Sequence, residues 1–119
     1  MMRRVQPRAL AWTAMLALVA LTLAAAACSG IDDVEPVSGV TTVEVKDNEF
    51  TPRVIEVPAG TEITWDVSGA NPHNVIGDGW SSDTLKRGDT FAHVFDTAGE
   101  HNYECTLHGG MTGRVIVTE

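Results

Sequence analysis

The sequence predicts an all-β domain, built as a Greek-key sandwich or barrel of about eight short strands. Three observations predict this fold. Apolar and polar residues alternate with a period of two over short segments, and turn-forming residues separate these segments. No segment after residue 28 shows a helical period over a useful length. Short strands in such close succession are typical of two packed sheets or a closed barrel.

Three of these strands are predicted in the first half of the domain. Turn residues at Asp47-Asn48, Pro58-Ala59-Gly60 and Ser68-Gly69 divide the segments. Within each segment, every second residue is apolar, so one face of each strand is expected to be buried. The apolar positions are Val43, Val45, Ile55, Val57, Ile63, Trp65 and Val67.

The second half predicts four more strands. A loop that begins at Gly77-Asp78-Gly79 follows the first of them and extends to about Lys86. The turn at Ala98-Gly99 separates the second from the third. The predicted strands are His73 to Ile76, the segment containing Phe91 and Phe95, His101 to Cys105, and Arg114 to Thr118.

Residues 1–28 have the composition of an export signal. Three arginines and no acid precede an uncharged run of nineteen residues from Ala9 to Ala27. The end of this run, Leu23 to Cys28, resembles a bacterial lipoprotein signal, in which the Cys is lipidated and becomes the mature N-terminus. An uncleaved membrane anchor and simple cleavage after Ala27 stay open as alternatives. All three interpretations place the domain outside the cytoplasm, in the periplasm or on the outer face of the cell membrane.

Residues 29–39 are predicted to be a flexible tether, because glycine, proline and three acids occur there without a clear period. The domain itself is assigned to residues 40–119. All sixteen acids of the chain lie beyond the signal, with five basic residues against them, so the exported part has a net charge of −11. Nucleic acid is excluded as a partner, since phosphate backbones are bound by Lys and Arg. The negative charge is expected to attract basic partners.

The chemistry concentrates in a seven-residue loop from Cys105 to Met111. This loop gathers a thiolate, the imidazole of His108 and a thioether, and His73 lies 32 positions before the cysteine. One Cys, two His and a weakly bound axial Met form the soft, trigonal donor set that holds copper in electron-transfer sites. Zinc is an alternative, because it accepts Cys and His, but a thioether does not suit it.

These residues and motifs resemble those of cupredoxins, the small blue copper proteins that include plastocyanin, amicyanin and pseudoazurin. The resemblance extends over nearly all of residues 40–118. The Cys-x-x-His-x-x-Met spacing is most similar to that of amicyanin, with Gly109-Gly110 in place of Pro-Phe. The matching motifs are Phe50-x-Pro52, Pro72-His73-Asn74-Val75, Gly88-Asp89-Thr90-Phe91, Tyr103-x-Cys105 and Met111-x-Gly113-x-Val115-x-Val117.

The resemblance implies a role for each residue of the site. His73, Cys105 and His108 are the expected equatorial ligands of one copper ion that alternates between Cu(I) and Cu(II), and Met111 is the axial ligand. Asn74 is expected to brace the site by donating its backbone N–H to the Cys105 sulfur, which would stabilise the thiolate and raise the reduction potential.

The resemblance also implies that electrons leave through His108, within an apolar patch around Leu107, Gly109 and Gly110. A redox protein donor and acceptor would dock there briefly, on an interface below about 1,200 Å². The domain is expected to be monomeric, and to be an electron carrier rather than an enzyme. The alternative on the same fold is a copper-binding protein for delivery or sequestration, which would favour Cu(I) and transfer it.

Each residue of the site has a simpler interpretation when it is taken alone. Cys105 could be a buried thiol or form a disulfide with Cys28. The two histidines could lie at surface turns, and the methionine could fill a gap in the core. Their joint order and spacing favour the metal site. His93 and His101 match no ligand position, so they are expected to be structural or exposed.

Overall fold

A computed structural model describes residues 30–119, which form two β-sheets around a common apolar core. The predicted export signal of residues 1–28, with Cys28, lies outside the described range. A 3-10 turn at Ile31–Asp33 precedes the sheets. The nine strands of the described range are β1 (Val37–Ser38), β2 (Thr42–Lys46), β3 (Glu49–Thr51), β4 (Val54–Pro58), β5 (Thr61–Val67), β6 (Ile76–Gly77), β7 (Thr90–Phe95), β8 (Gly99–Glu104) and β9 (Thr112–Thr118).

The strands are arranged in a five-stranded and a four-stranded sheet. The five-stranded sheet has the order β1-β4-β9-β8-β6, and the four-stranded sheet has the order β3-β2-β5-β7. Strand β4 is parallel to both β1 and β9, and β2 is parallel to β5, whereas the remaining pairs are antiparallel. Most connections pass from one sheet to the other. The prediction of an all-β, two-sheet architecture is confirmed.

The core consists of the side chains that the period of two directs between the sheets. In β5, Ile63, Trp65 and Val67 are buried while Glu62 and Asp66 are exposed. Trp65 is fully buried, and four aromatic rings, from both sheets and the β6–β7 loop, lie around its indole at centroid distances between 5.3 and 6.2 Å. Large aromatic side chains contribute much apolar area per residue, so this cluster holds the two sheets together.

The segment from His73 to Ile76 differs from the predicted continuous strand. The backbone of His73 pairs with Leu85 through hydrogen bonds of 2.8 and 2.7 Å, and Val75 is bonded to Ser82. Regular pairing begins only at Ile76, in β6. The apolar pattern correctly placed Val75 in the core. Its hydrogen-bond partners, however, belong to the following loop, which a local sequence pattern does not reveal.

Part of the segment expected to be a tether lies on the five-stranded sheet. Strand β1 pairs in parallel with β4, so that Val37 lies opposite Ile55. The carboxylate of Asp32 contacts the guanidinium of Arg114, on β9, at 2.8 Å. Residues 31–38 therefore touch the sheet at both ends of that segment. None of the helical structure in residues 30–119 has the length and apolar character needed to cross a membrane.

Gly113 provides the space that the Tyr103 ring occupies between β8 and β9. The two residues lie directly opposite each other, and a Cβ built at position 113 would overlap the ring. We predict that Gly113→Ala destabilises the apoprotein by about 1–3 kcal/mol, the usual cost of overpacking. A lower midpoint of urea unfolding measures this loss.

Gly30→Ala is the matched control, since nothing lies within 4 Å of a Cβ at that position. Equal unfolding midpoints for the two variants would contradict the close packing of Tyr103 on Gly113.

Candidate metal centre

Two connections between strands supply the donor residues, and a short strand pair brings the connections together. His73 lies between β5 and β6, and the loop from Cys105 to Met111 joins β8 to β9. Strand β6 pairs with β8, so that Ile76 lies opposite Glu104. Ile76 follows His73 by three residues and Glu104 directly precedes the cysteine. The register of this pair therefore sets the upstream histidine beside the thiol.

The thiol and both imidazoles converge on one point. The Cys105 Sγ lies 3.8 Å from Nδ1 of His73 and 3.4 Å from Nδ1 of His108. The three donor atoms all lie within 4.8 Å of one another. Metal bonds of about 2.1 Å to nitrogen and 2.3 Å to sulfur, at 120°, separate the two donors by roughly 3.8 Å. The side chains thus have the spacing that a single metal ion requires, and a thiolate with two imidazoles suits copper.

The donors differ in their access to solvent. His73 is 0% exposed and the Cys105 side chain is buried, whereas His108 is half-buried. Leu107, beside it, is 50% exposed. One edge of the site therefore reaches the surface at the downstream histidine, and the upstream histidine is enclosed by protein.

Hydrogen bonds within the loop hold the Met111 backbone beside that of Cys105. The Cys105 N–H donates to the Met111 carbonyl at 2.9 Å, and the Met111 N–H donates to the His108 carbonyl at 3.3 Å. The Met111 side chain is buried with the core. This arrangement places the predicted axial residue in the same tight turn as the cysteine and the second histidine.

Asn74 joins the two connections through its side chain. Its Nδ2 donates to Thr106 Oγ1 at 2.7 Å, and the Thr106 N–H donates to its Oδ1 at 2.8 Å. Because Thr106 follows the cysteine, this pair of bonds braces the site between the two loops. The backbone bond from Asn74 to the Cys105 sulfur stays a prediction.

Asp47 is a neighbour of the site that the sequence reasoning missed. One carboxylate oxygen lies 3.0 Å from His73 Nε2, on the ring edge opposite the thiol. The N–H of Asn71, the His73 ring and the N–H of Ala70 together lower the pKa of Asp47 to about 2. The pair Asp47-Asn48 had indicated only a turn, and nothing in the local pattern pointed to a histidine 26 residues away.

Comparison with known proteins agrees with the fold and the donor set. Residues 12–117 match the family model of the cupredoxin-like domain. Amicyanin-alpha of Methylorubrum extorquens is 34% identical over 117 residues, which cover 92% of this chain and 98% of that protein. Together with the two-sheet fold and the cysteine–histidine centre, these matches define a small all-β protein with a candidate metal site. The chain belongs to the cupredoxin family.

Solved structures show the same fold. A purple cupredoxin from Nitrosopumilus maritimus superposes with a TM-score of 0.62 at 27% identity, over 66% of this chain and all of that one. A copper-containing nitrite reductase from Thermus scotoductus superposes with a TM-score of 0.58 at 24% identity. That match covers 71% of this chain but 23% of the reductase, so it is a likeness of fold alone.

The unequal burial of the two histidines predicts unequal rescue by added ligand. In His108→Gly, free imidazole is expected to enter the half-open position and restore the visible copper–thiolate absorption. In His73→Gly, the enclosing protein is expected to admit imidazole poorly, so little absorption returns. Spectra of both variants, recorded during titration with imidazole, measure the difference.

Cys105→Ser is the control. It removes the absorbing thiolate, so added imidazole should not restore the visible absorption. Absence of rescue in His108→Gly would argue against that residue as a ligand.

Proposed function

We propose that this protein is a type 1, or blue, copper protein that carries single electrons. One observation carries the proposal. The thiol of Cys105 and the imidazoles of His73 and His108 converge within 4.8 Å, and the loop of Cys105 and His108 also holds Met111. Membership of the cupredoxin family supports copper as the metal. We infer one copper ion per chain, with these four residues as ligands.

The backbone around the donors favours electron transfer because it resists rearrangement. Copper held there would supply a one-electron couple between Cu(I) and Cu(II). Two hydrogen bonds to Leu85 fix the His73 backbone, and the Met111 carbonyl accepts from the Cys105 N–H. These bonds do not involve the donor atoms, so they persist when the charge of the site changes. A site that moves little keeps the barrier to electron transfer low.

The surface at His108 is the proposed exit for the electron. The imidazole is half-buried, and its neighbours in the chain, Leu107, Gly109 and Gly110, are exposed. A redox protein would approach the imidazole edge across this small patch. The patch suits a transient contact below about 1,200 Å², and we propose that the domain acts as a monomer. The net charge of −11 beyond the signal would steer basic partners to the domain.

We also infer that the protein is not an enzyme. The nucleophile and the bases of the site, Cys105 and the two histidines, point at one another and are proposed as metal ligands. They are therefore not available for acid–base or covalent chemistry on a substrate. The likeness to the nitrite reductase covers less than a quarter of that protein.

For the location we propose export, with lipidation at Cys28. The export signal of residues 1–28 would direct the chain out of the cytoplasm, and residues 29–39 would link the lipid to the domain of residues 40–119. Electron carriers that dock briefly gain from attachment, since a membrane tether raises the local concentration of carrier and membrane-bound partners.

Replacement of Cys28 tests the lipid anchor. We expect Cys28→Ala to move the protein from the membrane fraction to the soluble fraction, measured by blotting both fractions of the expressing cells. Ser29→Ala is the control and should stay in the membrane. Retention of the Cys28→Ala protein in the membrane would favour an uncleaved helix. A soluble wild type would favour simple cleavage.

Titration of the purified protein with Cu(II) tests the proposed function. We expect an intense blue thiolate-to-copper band that saturates at one equivalent and that repeated reduction and reoxidation restore fully. Colourless binding, or none, would contradict the electron carrier. Blue copper that is lost on reduction and captured by a Cu(I) chelator would favour delivery or sequestration.

A further inference from the structure

Asp47 connects two separate parts of the chain at the metal end of the sandwich. It lies in the turn between β2 and β3. One carboxylate oxygen lies 3.0 Å from His73 Nε2 and also accepts the Asn71 N–H at 3.0 Å, and the other accepts the Ala70 N–H at 3.1 Å. The side chain is about one-third exposed, whereas the histidine is fully buried. A carboxylate at the rim thus supports an enclosed imidazole.

The surrounding backbone is shaped for this contact. The N–H groups of Ser68 and Gly69 both donate to the Val45 carbonyl at 3.0 Å, which draws the start of the β5–β6 connection against the β2–β3 turn. A Cβ at Gly69 would lie 2.5 Å from the Asp47 carboxylate and 2.8 Å from His73 Nε2. The absence of a side chain at position 69 therefore makes room for the carboxylate–imidazole pair.

The hydrogen-bond chemistry fixes which ring nitrogen carries the proton. An ionised carboxylate only accepts, so His73 Nε2 must donate, and in the neutral ring that a metal ligand requires, Nδ1 then keeps its lone pair toward the Cys105 sulfur. A carboxylate bonded to the far nitrogen of a metal-bound histidine also makes the imidazole a more basic ligand. Its negative charge favours the more highly charged metal ion.

We propose that Asp47 is a positioning residue that holds His73 in its ligating tautomer and lowers the reduction potential of the copper site by favouring Cu(II). This inference rests on the proposed function, since it concerns the same metal centre. The neighbouring acids have other partners, since Glu44 accepts from Ser68 Oγ and Glu49 pairs with Lys46.

Asp47→Asn in the full-length copper protein tests the proposal. The amide has nearly the same shape and keeps one oxygen that can accept from His73 Nε2 and the Asn71 N–H, but it removes the charge and the acceptor of the Ala70 N–H. We expect Cu(II) binding to weaken about 10- to 100-fold, the usual loss for an outer partner of a metal ligand. Cu(I) binding should weaken less, so the reduction potential should rise. Voltammetry and competition with Cu(I) and Cu(II) chelators measure these changes.

Glu49→Gln is the matched control. It removes one negative charge from β3, two residues away, where the carboxylate is exposed and pairs with Lys46 at 3.7 Å. Its potential should stay close to that of the wild type. An equal shift in both variants would reduce the effect to general charge and overturn the proposal. A less stable Asp47→Asn protein with an unchanged potential would also overturn it, because Asp47 would then brace only the turn.

A measurement on the wild type serves if the Asp47→Asn protein does not fold. In the Cu(I) protein labelled with ¹⁵N-histidine, His73 Nε2 should carry a slowly exchanging proton and Nδ1 should carry none. A proton on Nδ1 would overturn the proposal. A wild type that binds no copper would instead overturn the proposed function, so the two failures are distinguishable.

Discussion

The pairing of β6 with β8 is the constraint on which the centre depends. It consists of two residue pairs, Ile76 with Glu104 and Gly77 with Tyr103, yet it fixes two connections that lie 32 residues apart in the chain. Six residue pairs join β8 to β9, so both ends of the loop that begins at Cys105 are attached to paired strands. The distance between the thiol and the upstream imidazole is therefore a property of the sheet. Hydrogen bonds from the loops refine it.

The sequence predicted most of the fold because the period of two is local. Strands β2, β4, β5 and β9 bury the apolar positions that the pattern selected, and β7 buries Phe95 while Phe91 is partly buried. The structure differs from the local pattern where the backbone partners lie far away in the chain or in loops. Val75 is buried like a strand residue, but Ser82 satisfies its N–H. Strand β1 has only two residues, and its attachment to β4 depends on a parallel neighbour that no short pattern encodes.

The same distinction separates the parts of the site that could be predicted from the parts that could not. The spacing from Cys105 to Met111 is local, so the order of thiolate, imidazole and thioether could be predicted from the sequence. The partner of His73 could not be predicted from the sequence. Asp47 lies 26 residues upstream, and the pairing of β2 with β5 brings the two residues together. Gly69 has the same character: its lack of a Cβ matters through a neighbour 22 residues upstream.

The position of Asp47 at the rim resolves an electrostatic difficulty of the enclosed histidine. A carboxylate buried as deeply as His73 would lose its hydration at a cost of several kcal/mol, and such groups generally neutralise instead. At about one-third exposure the side chain keeps contact with water, and two backbone N–H groups satisfy its oxygens as well. The charge is thus retained at hydrogen-bond distance from a fully buried ring. At the opposite edge, His108 has solvent beside it. The centre therefore has one buried histidine bonded to a charged carboxylate and one histidine beside solvent, and this asymmetry suits the proposed electron carrier, which would keep its metal while a partner approaches.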